Sequence, residues 1–194
     1  DEDLTLCLPD GVAYQADMAA RVEYDDAYFD KCAGYEGAPI ADAINAARIE
    51  LVARHYSGRL CDVGIGSGEF ITRRGASTYG FDVNPRAVDW LKQRALYVGL
   101  RGFAAYSFWD VLEHVETPAE YLDQVPLHGF VFASLPIFTD LRTIRASRHY
   151  RPGEHLYYFT DEGFIGWMLC HGFRVLEAND DETRAGRESI RSYA

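Results

Sequence analysis

Cysteine is scarce in this chain, with four among 194 residues. No two of them form a C-x-x-C pair and their spacing is irregular, so the sequence predicts neither a zinc ribbon nor a disulfide framework. We interpret them as reduced thiols of a cytoplasmic protein; they are Cys7, Cys32, Cys61 and Cys170. Long apolar runs are also missing, which predicts no transmembrane helix and no signal peptide. A chain that begins at Asp1 is compatible with a longer natural protein.

Basic residues are outnumbered, because 19 lysines and arginines stand against 30 aspartates and glutamates. The formal net charge of −11 repels phosphate backbones, so we expect a small-molecule partner rather than nucleic acid. The local exception is a cluster of arginines at positions 142, 145, 148 and 151. Hydrophobic residues make up 48% of the chain, which is enough for one globular domain with a full core.

A glycine-rich turn follows a short apolar strand that we predict over Leu60–Val63. Glycines stand at alternate positions, Gly64, Gly66 and Gly68, and Asp62 precedes the first of them by two residues. Glycine suits positions where φ is positive or where a ligand touches the backbone. The G-x-G-x-G spacing differs from the G-x-G-x-x-G dinucleotide fingerprint. It favours a ligand with adenosine at one end and an amino acid at the other; an ordinary glycine turn is the alternative.

A second acid ends the next predicted strand, Ser77–Phe81. Asp82 follows Gly64 at about the 20-residue distance at which an acid meets ribose hydroxyls in nucleotide-binding sheets. The alternative is a helix-capping acid, because Asn84 and Pro85 are typical of a helix start.

Strands and helices alternate along the rest of the chain. Apolar runs predict further strands over Phe103–Phe108, Phe130–Leu135 and Phe173–Glu177, and helices over Ala41–Tyr56, Glu69–Arg74, from Pro85, over Pro118–Val125 and after a capping Thr160. This alternation predicts a doubly wound, mostly parallel α/β sheet with helices on both faces. Its third strand is weakly encoded, because only Ala95–Ala105 is available for it, and Ala95–Val98 is either a short edge strand or the end of the preceding helix. Ligands of such sheets bind at the carboxyl ends of the strands.

Two aromatic-rich segments lie outside this alternation. We expect residues 1–39 to form an N-terminal lid segment of short helices, and residues 40–194 to form a single domain. The connection over residues 137–159 is long, and long connections in compact domains are commonly functional. Both segments are expected to cover the carboxyl edge of the sheet.

The glycine turn, Gly80–Asp82 and the sequence Asp110–Val115 together resemble class I S-adenosylmethionine-dependent methyltransferases, over about residues 40–177. The D-x-L-E-H motif is similar to the branch that includes the ubiquinone-pathway O-methyltransferases. The resemblance implies a Rossmann-like, seven-stranded sheet with an antiparallel hairpin at one edge and S-adenosylmethionine as cofactor. Its motifs do not specify the substrate, and the acidic charge balance favours a small-molecule acceptor. A catalytically silent adenosylmethionine-binding protein and an RNA methyltransferase with a metal-assisted site are the alternatives. The chain departs from the family between Tyr97 and Phe103, where the third strand and its acid are short or missing.

The resemblance also implies roles for individual residues. The glycines would support the methionine and ribose portion, Asp62 would hold the amino group, Asp82 would bind the ribose and Val83 would cover the adenine. Trp109 would line the end where the methyl group is transferred. The full set of expected cofactor residues is Asp62, Gly64, Ile65, Gly66, Ser67, Gly68, Phe70, Asp82, Val83, Asn84, Trp109 and Asp110.

Three interpretations of Asp110-x-x-Glu113-His114 remain open from the sequence. It forms a helix start in which Asp110 caps and Glu113 closes a capping box. Alternatively Asp110 or His114 is a general base, with His155 as a further catalytic candidate from the long connection. In the third interpretation Asp110, Glu113, His114 and His155 bind a divalent metal, as a similar E-x-x-E-H motif does in small-RNA 2′-O-methyltransferases. A metal is possible here but is not the expectation.

Overall fold

The computed structural model describes residues 4–16 and 38–194. Its main sheet has six strands in the order β4-β3-β5-β6-β9-β8. They are β3 (Leu60–Val63), β4 (Thr78–Phe81), β5 (Ala105–Trp109), β6 (Phe130–Pro136), β8 (Ala178–Asn179) and β9 (Ile190–Tyr193). The first four are parallel, and β9 pairs antiparallel with β6 and with β8. The predicted α/β class and the antiparallel edge hairpin are therefore confirmed.

The central strands are mostly apolar because helices cover both of their faces, and Asp62 and Ser107 are the polar exceptions in β3 and β5. Every residue of β3 and β5 is buried. The helices are α1 (Pro39–His55), α2 (Glu69–Arg74), α3 (Pro85–Gln93), α4 (Pro118–Leu122), α5 (Asp161–Cys170) and α6 (Asp181–Arg184). Two of them begin at the predicted caps, because Asn84 accepts from the Arg86 and Ala87 amides and Thr160 accepts from the Gly163 amide. None of the helices in the described ranges is long and apolar enough to cross a membrane.

The third strand of the expected sheet is reduced to one parallel bridge between Gly80 and Tyr97. The Gly80 amide donates to the Leu96 carbonyl at 3.0 Å, and its carbonyl accepts from the Val98 amide at 3.1 Å. These two bonds use up the pairing capacity of a single residue. The expected third strand therefore survives only as this contact, and the main sheet has six strands instead of seven. The contact lies where the sequence predicted a strand only weakly.

The predicted strand Phe173–Glu177 is wrong in its position. These residues carry no strand, and the strand next to them is β8. The polar tail beyond it forms α6 and β9, and β9 lies between β6 and β8 in the sheet. Ile190 and Tyr193 of β9 are buried. A strand of four residues with a charged member is too short for its periodicity to be recognised in the sequence.

A second sheet contains β1 (Leu4–Cys7), β2 (Val12–Gln15) and β7 (Tyr157–Phe159), all antiparallel. The described part of the predicted N-terminal lid is thus a β-hairpin around a short 3-10 turn, Leu8–Asp10, and not a set of short helices. The remainder of that lid segment, residues 17–37, lies outside the described residues. The long connection carries a 3-10 helix, Leu141–Ala146, before β7.

Candidate active site

A cavity of about 620 Å³ opens at the carboxyl ends of β3, β4 and β5. Its wall also includes residues of α1, of the connection between β6 and β7, and of the turn before β9. Of the residues predicted from the sequence to bind the cofactor, all but Gly68 line it: Asp62, Gly64, Ile65, Gly66, Ser67, Phe70, Asp82, Val83, Asn84, Trp109 and Asp110. The predicted catalytic residues His114 and His155 line it as well.

The glycine turn places its three glycines in different surroundings, although φ is positive at each. At Gly66, with φ of +55°, a side chain would meet nothing within 4 Å, so the backbone is open to the cavity. At Gly68 a Cβ would lie 2.6 Å from the indole of Trp90. Gly68 therefore serves close packing at the start of α2 and is not among the residues that line the cavity.

Asp82 connects the glycine turn with the start of α3. One carboxylate oxygen accepts a hydrogen bond from the Ile65 amide of the glycine turn at 2.8 Å, and the other accepts from the Asn84 amide at 2.8 Å. Asn84, and not Asp82, caps α3. Burial raises the pKa of Asp82, and hydrogen bonds from backbone amides oppose this shift. The side chain thus holds the turn against the end of β4 beside the cavity.

Asp62 lies beneath the turn and is 1% exposed. The pairing of β3 with β5 places it opposite Ser107, whose hydroxyl donates to the Asp62 carboxylate at 2.5 Å. Burial raises the pKa of Asp62 to about 7, although the Ser107 hydrogen bond and the charge of Arg48 act in the opposite direction. The carboxyl group therefore changes its charge near neutral pH.

Asp110 ends β5 in a left-handed conformation, with φ of +57°. Arg187 binds both of its carboxylate oxygens, at 2.7 and 2.8 Å, and Arg48 binds one of them at 3.0 Å. Burial alone would raise the pKa of Asp110, but the charges of the two arginines outweigh it and hold this pKa well below its usual range. A carboxylate in this state is a weak base, which argues against the predicted general-base role of Asp110.

Glu182 completes this group of charges and was not found from the sequence. It is fully buried, and it accepts from the Arg48 guanidinium at 2.7 Å and from Arg187 at 2.7 Å. We call the four residues Arg48, Asp110, Glu182 and Arg187 the arginine–carboxylate network. Arg48 is 62 positions from Asp110 and 134 positions from Glu182 in the sequence, so no local motif could have revealed this network.

Glu113, His114 and His155 meet beside this network. One potential ligand atom from each lies within 4.8 Å of the other two, and the two imidazole rings are 4.6 Å apart. Residues 112–114 form a turn and not a helix, so the capping-box interpretation is wrong. Burial is the main cause that lowers the pKa of His114, and it lowers the pKa of His155 to about 3. Both imidazoles are therefore neutral near pH 7, and His155 is a poor proton acceptor.

The comparisons with known proteins agree with this geometry. A family model described as a methyltransferase domain matches residues 38–178. The fold is shared with magnesium protoporphyrin IX methyltransferase from Synechocystis PCC 6803 with bound SAH, at 16% identity, 88% and 94% coverage of the two chains and a TM-score of 0.60. It is shared with the N-methyltransferase NodS from Bradyrhizobium japonicum WM9, at 13% identity, 81% and 96% coverage and a TM-score of 0.57.

A third similar structure is the cyclase SpnF, at 17% identity, 75% and 62% coverage and a TM-score of 0.56. At these identities the solved structures show the fold alone. No curated protein sequence matches the chain. The family match, in contrast, spans most of the chain and includes the glycine turn, both acids and the strands that bring them to the cavity. The chain therefore belongs to the methyltransferase domain family, with the class I fold of S-adenosylmethionine-dependent methyltransferases.

Proposed function

We propose that the cavity binds S-adenosylmethionine and that the protein transfers its methyl group to a small molecule. The observation that carries this proposal is the open face of Gly66 in a cavity that Asp62 and Asp82 also line. A Cβ at Gly66 would project into this open space, so the backbone there is accessible to a ligand. The Asp82 carboxylate would accept from ribose hydroxyls, and an ionised Asp62 would attract the amino group.

The cofactor, when bound, supplies a methyl group on a positively charged sulfur, which is already a strong electrophile. The chain therefore needs to hold two reactants in line more than it needs a strong base. This requirement agrees with the neutral histidines and with the ion-paired Asp110. In our proposal Asp110 and Trp109 orient the reacting end of the cavity, and Arg48 supports both, since its guanidinium lies 5.0 Å from the Trp109 ring centre.

Three observations support a small acceptor. The cavity volume falls within the range of roughly 300–1,000 Å³ that is typical of small-molecule sites. The net charge of −11 disfavours nucleic acid. Arg148 and Arg151, which belong to the basic cluster of the sequence, form ion pairs with Glu188 and Glu154, so the local positive charge is compensated.

The D-x-L-E-H motif at residues 110–114 supports placement in the branch of the ubiquinone-pathway O-methyltransferases.

Calorimetry with S-adenosylhomocysteine and with NAD tests the cofactor part of the proposal. We expect stoichiometric binding of adenosylhomocysteine and much weaker binding of NAD, because the turn lacks the dinucleotide spacing. Tighter binding of NAD would overturn the proposal. Release of adenosylhomocysteine from adenosylmethionine in a metabolite library then identifies the acceptor.

The predicted lid is a separate proposal. We expect residues 137–159, together with the N-terminal segment, to cover the bound ligands, because His149 and Arg151 already line the cavity. Hydrogen exchange with and without adenosylhomocysteine measures this coverage. Slower exchange of amides in residues 147–155 is the expected result, and unchanged exchange there would contradict it.

A further inference from the structure

The carboxyl group of Glu113 is buried and has no evident structural role. It is 1% exposed, and neither of its carboxylate oxygens has a hydrogen-bond partner within the described parts of the chain. The His114 Nε2 atom lies 3.7 Å from Glu113 Oε1, which is beyond hydrogen-bond distance. His155 is 4% exposed, and its Nδ1 is likewise buried without a partner in the described ranges. Buried polar atoms are nearly always satisfied, so each of these atoms calls for a partner.

We propose that Glu113, His114 and His155 form a binding site for one divalent transition-metal ion. A single cation would give the Glu113 carboxylate and the His155 ring a shared partner, because one potential ligand atom from each of the three residues already lies within 4.8 Å of the other two. An ionised carboxylate that is buried without compensation is costly, and a bound cation removes that cost.

Backbone hydrogen bonds hold the three ligands in place. The Glu113 carbonyl accepts from the Leu156 amide at 2.7 Å and from the Tyr157 amide at 3.2 Å. These bonds join the two segments that carry the cluster, although 41 positions separate His114 from His155. The Tyr157 hydroxyl adds a further bond between the segments by donating to the Glu116 carbonyl at 3.0 Å. The site is therefore set by the fold before any ion arrives.

The orientation of His114 also fits a ligand. Its Nδ1 lies 2.9 Å from the Glu154 carbonyl oxygen. In the neutral ring Nδ1 then carries the proton and donates, and Nε2 keeps the lone pair on the side of Glu113. Histidine ligands of metals commonly make this kind of hydrogen bond with their second nitrogen, which fixes the tautomer and the ring orientation.

The donor set indicates the kind of ion. Two imidazoles and one carboxylate suit Zn²⁺, and also Fe²⁺, Co²⁺ and Mn²⁺, better than Mg²⁺ or Ca²⁺, which prefer oxygen ligands. Asp110, a fourth candidate from the sequence, is bound on both oxygens by Arg187 and is not part of the set. Three protein ligands leave at least one coordination position open.

The open position gives the ion a function that rests on the proposed methyl transfer. His114 and His155 line the cavity, whereas Glu113 does not, so the ion would be approached from the cavity side. An acceptor with a hydroxyl group could bind there through its oxygen, and a divalent ion lowers the pKa of such a group. This would provide the activation that the two neutral histidines and the ion-paired Asp110 do not provide.

Metal titration of the complete chain, freed of metal with a chelator and without an affinity tag, tests the site. We expect one equivalent of Zn²⁺ by calorimetry and one of Co²⁺ by its visible absorption. Glu113→Gln and His155→Asn each remove one ligand at nearly constant volume. Each should weaken binding by about 100-fold or more, since even changes to residues that only support metal ligands cost about 10- to 100-fold. His149→Asn is the matched control, because His149 lines the same cavity outside the cluster and should bind Zn²⁺ like the wild type.

The result is read together with adenosylhomocysteine binding in the same preparations. Loss of Zn²⁺ in both ligand variants, with retention in the control, supports the site, and if one variant does not fold the other decides. No stoichiometric binding by the wild type, or equal affinity in all four proteins, overturns it. Adenosylhomocysteine binding without Zn²⁺ binding refutes the metal site alone, whereas Zn²⁺ binding without adenosylhomocysteine binding refutes the proposed function alone.

Discussion

The two sides of the cavity are assembled in different ways. The cofactor side, residues 62–84, comes from one continuous stretch of strand, glycine turn, helix and strand. The acceptor side consists of the arginine–carboxylate network and the cluster of Glu113, His114 and His155, and it draws on α1, the end of β5, the segment before β7 and the C-terminal turn. The cofactor side relies on backbone amides and two acids, whereas the acceptor side relies on paired charges. The comparison teaches that a local motif encodes one side and only the complete topology encodes the other.

The largest expected effect belongs to the acceptor side. Replacing Arg187 with leucine would leave the fully buried Glu182 with Arg48 as its remaining charged partner and would remove the bidentate contact with Asp110. Breaking a buried ion pair from one side costs about 3–5 kcal/mol, and we expect Arg187→Leu to lower the free energy of unfolding by this amount. Urea denaturation measures it. Arg184→Leu is the control, because that exposed arginine pairs with Asp181 at the surface. Equal losses in both variants would show that the network does not hold the acceptor side together.

On the cofactor side the effect should fall on binding. Asp82→Ala removes the carboxylate that would accept from the ribose, and we expect affinity for adenosylhomocysteine to fall by about 1.5–3 kcal/mol. Calorimetry measures this loss, and Asp89→Ala, an exposed acid on α3, serves as the control. Unchanged affinity in a folded Asp82→Ala protein would mean that Asp82 only ties Ile65 to Asn84.

Two glycines sharpen the same comparison within a single turn. Both Gly66→Ala and Gly68→Ala force a side chain into a left-handed conformation, which costs about 1–2 kcal/mol of stability. Gly66→Ala should also weaken adenosylhomocysteine binding, by about tenfold or 1.4 kcal/mol, because its new methyl group enters the cavity. Gly68→Ala should instead lose additional stability through the clash with Trp90 and keep its affinity. Thermal melts and calorimetry on both variants separate the two roles.

The smallest expected effect is the pH dependence contributed by Asp62. Its pKa is raised from 3.8 to about 7 in the folded chain, so the group is neutral below this pH and ionised above it. An ionised Asp62 attracts the amino group of the ligand, and we expect affinity for adenosylhomocysteine to increase by less than about tenfold between pH 6 and pH 8. Asp62→Asn should flatten this dependence. A profile that is unchanged in the variant would assign the titration to another group.

The raised pKa of Asp62 also affects the free energy of unfolding. This contribution falls as the pH rises, whereas the affinity for the ligand increases. Between 3.8 and about 7 the folded chain holds a proton on Asp62 that the unfolded chain has released. The stability that this proton represents is present at low pH and is lost as the pH rises through about 7. Unfolding measured with and without Asp62→Asn isolates this contribution.

The sequence predicted well which residues between 62 and 84 line the cavity, and the reason is physical. Positive φ at glycine, an acid at a strand end and a capped helix leave their traces in adjacent residues, and Asp62, Gly66 and Asp82 were identified in this way. It failed where a role depended on contacts from distant elements. Gly68 has the same local signature as Gly66, and only the position of Trp90 distinguishes them.

The acceptor side was predicted only in part, because many of its contacts join elements that are distant in the sequence. His155 was linked to Asp110, Glu113 and His114 because the connection had to return to the same sheet edge, and the structure does bring it to Glu113 and His114. The sequence could not predict that two arginines, Arg48 and Arg187, bind the Asp110 carboxylate, because Arg187 lies in a polar tail without periodicity. Strand β9 was missed for the same lack of pattern.

The second sheet has a consequence for the order of events during synthesis. Strand β2 pairs with β7, and the Gln15 side chain donates to the Tyr158 hydroxyl across 143 positions. A hairpin of two strands is marginal alone, so the hairpin of β1 and β2 gains a stable partner only after the distant β7 has been made. The Gln15 amide also donates to the Leu156 carbonyl, next to His155. Docking of the hairpin therefore waits for this segment and helps to fix His155 in place.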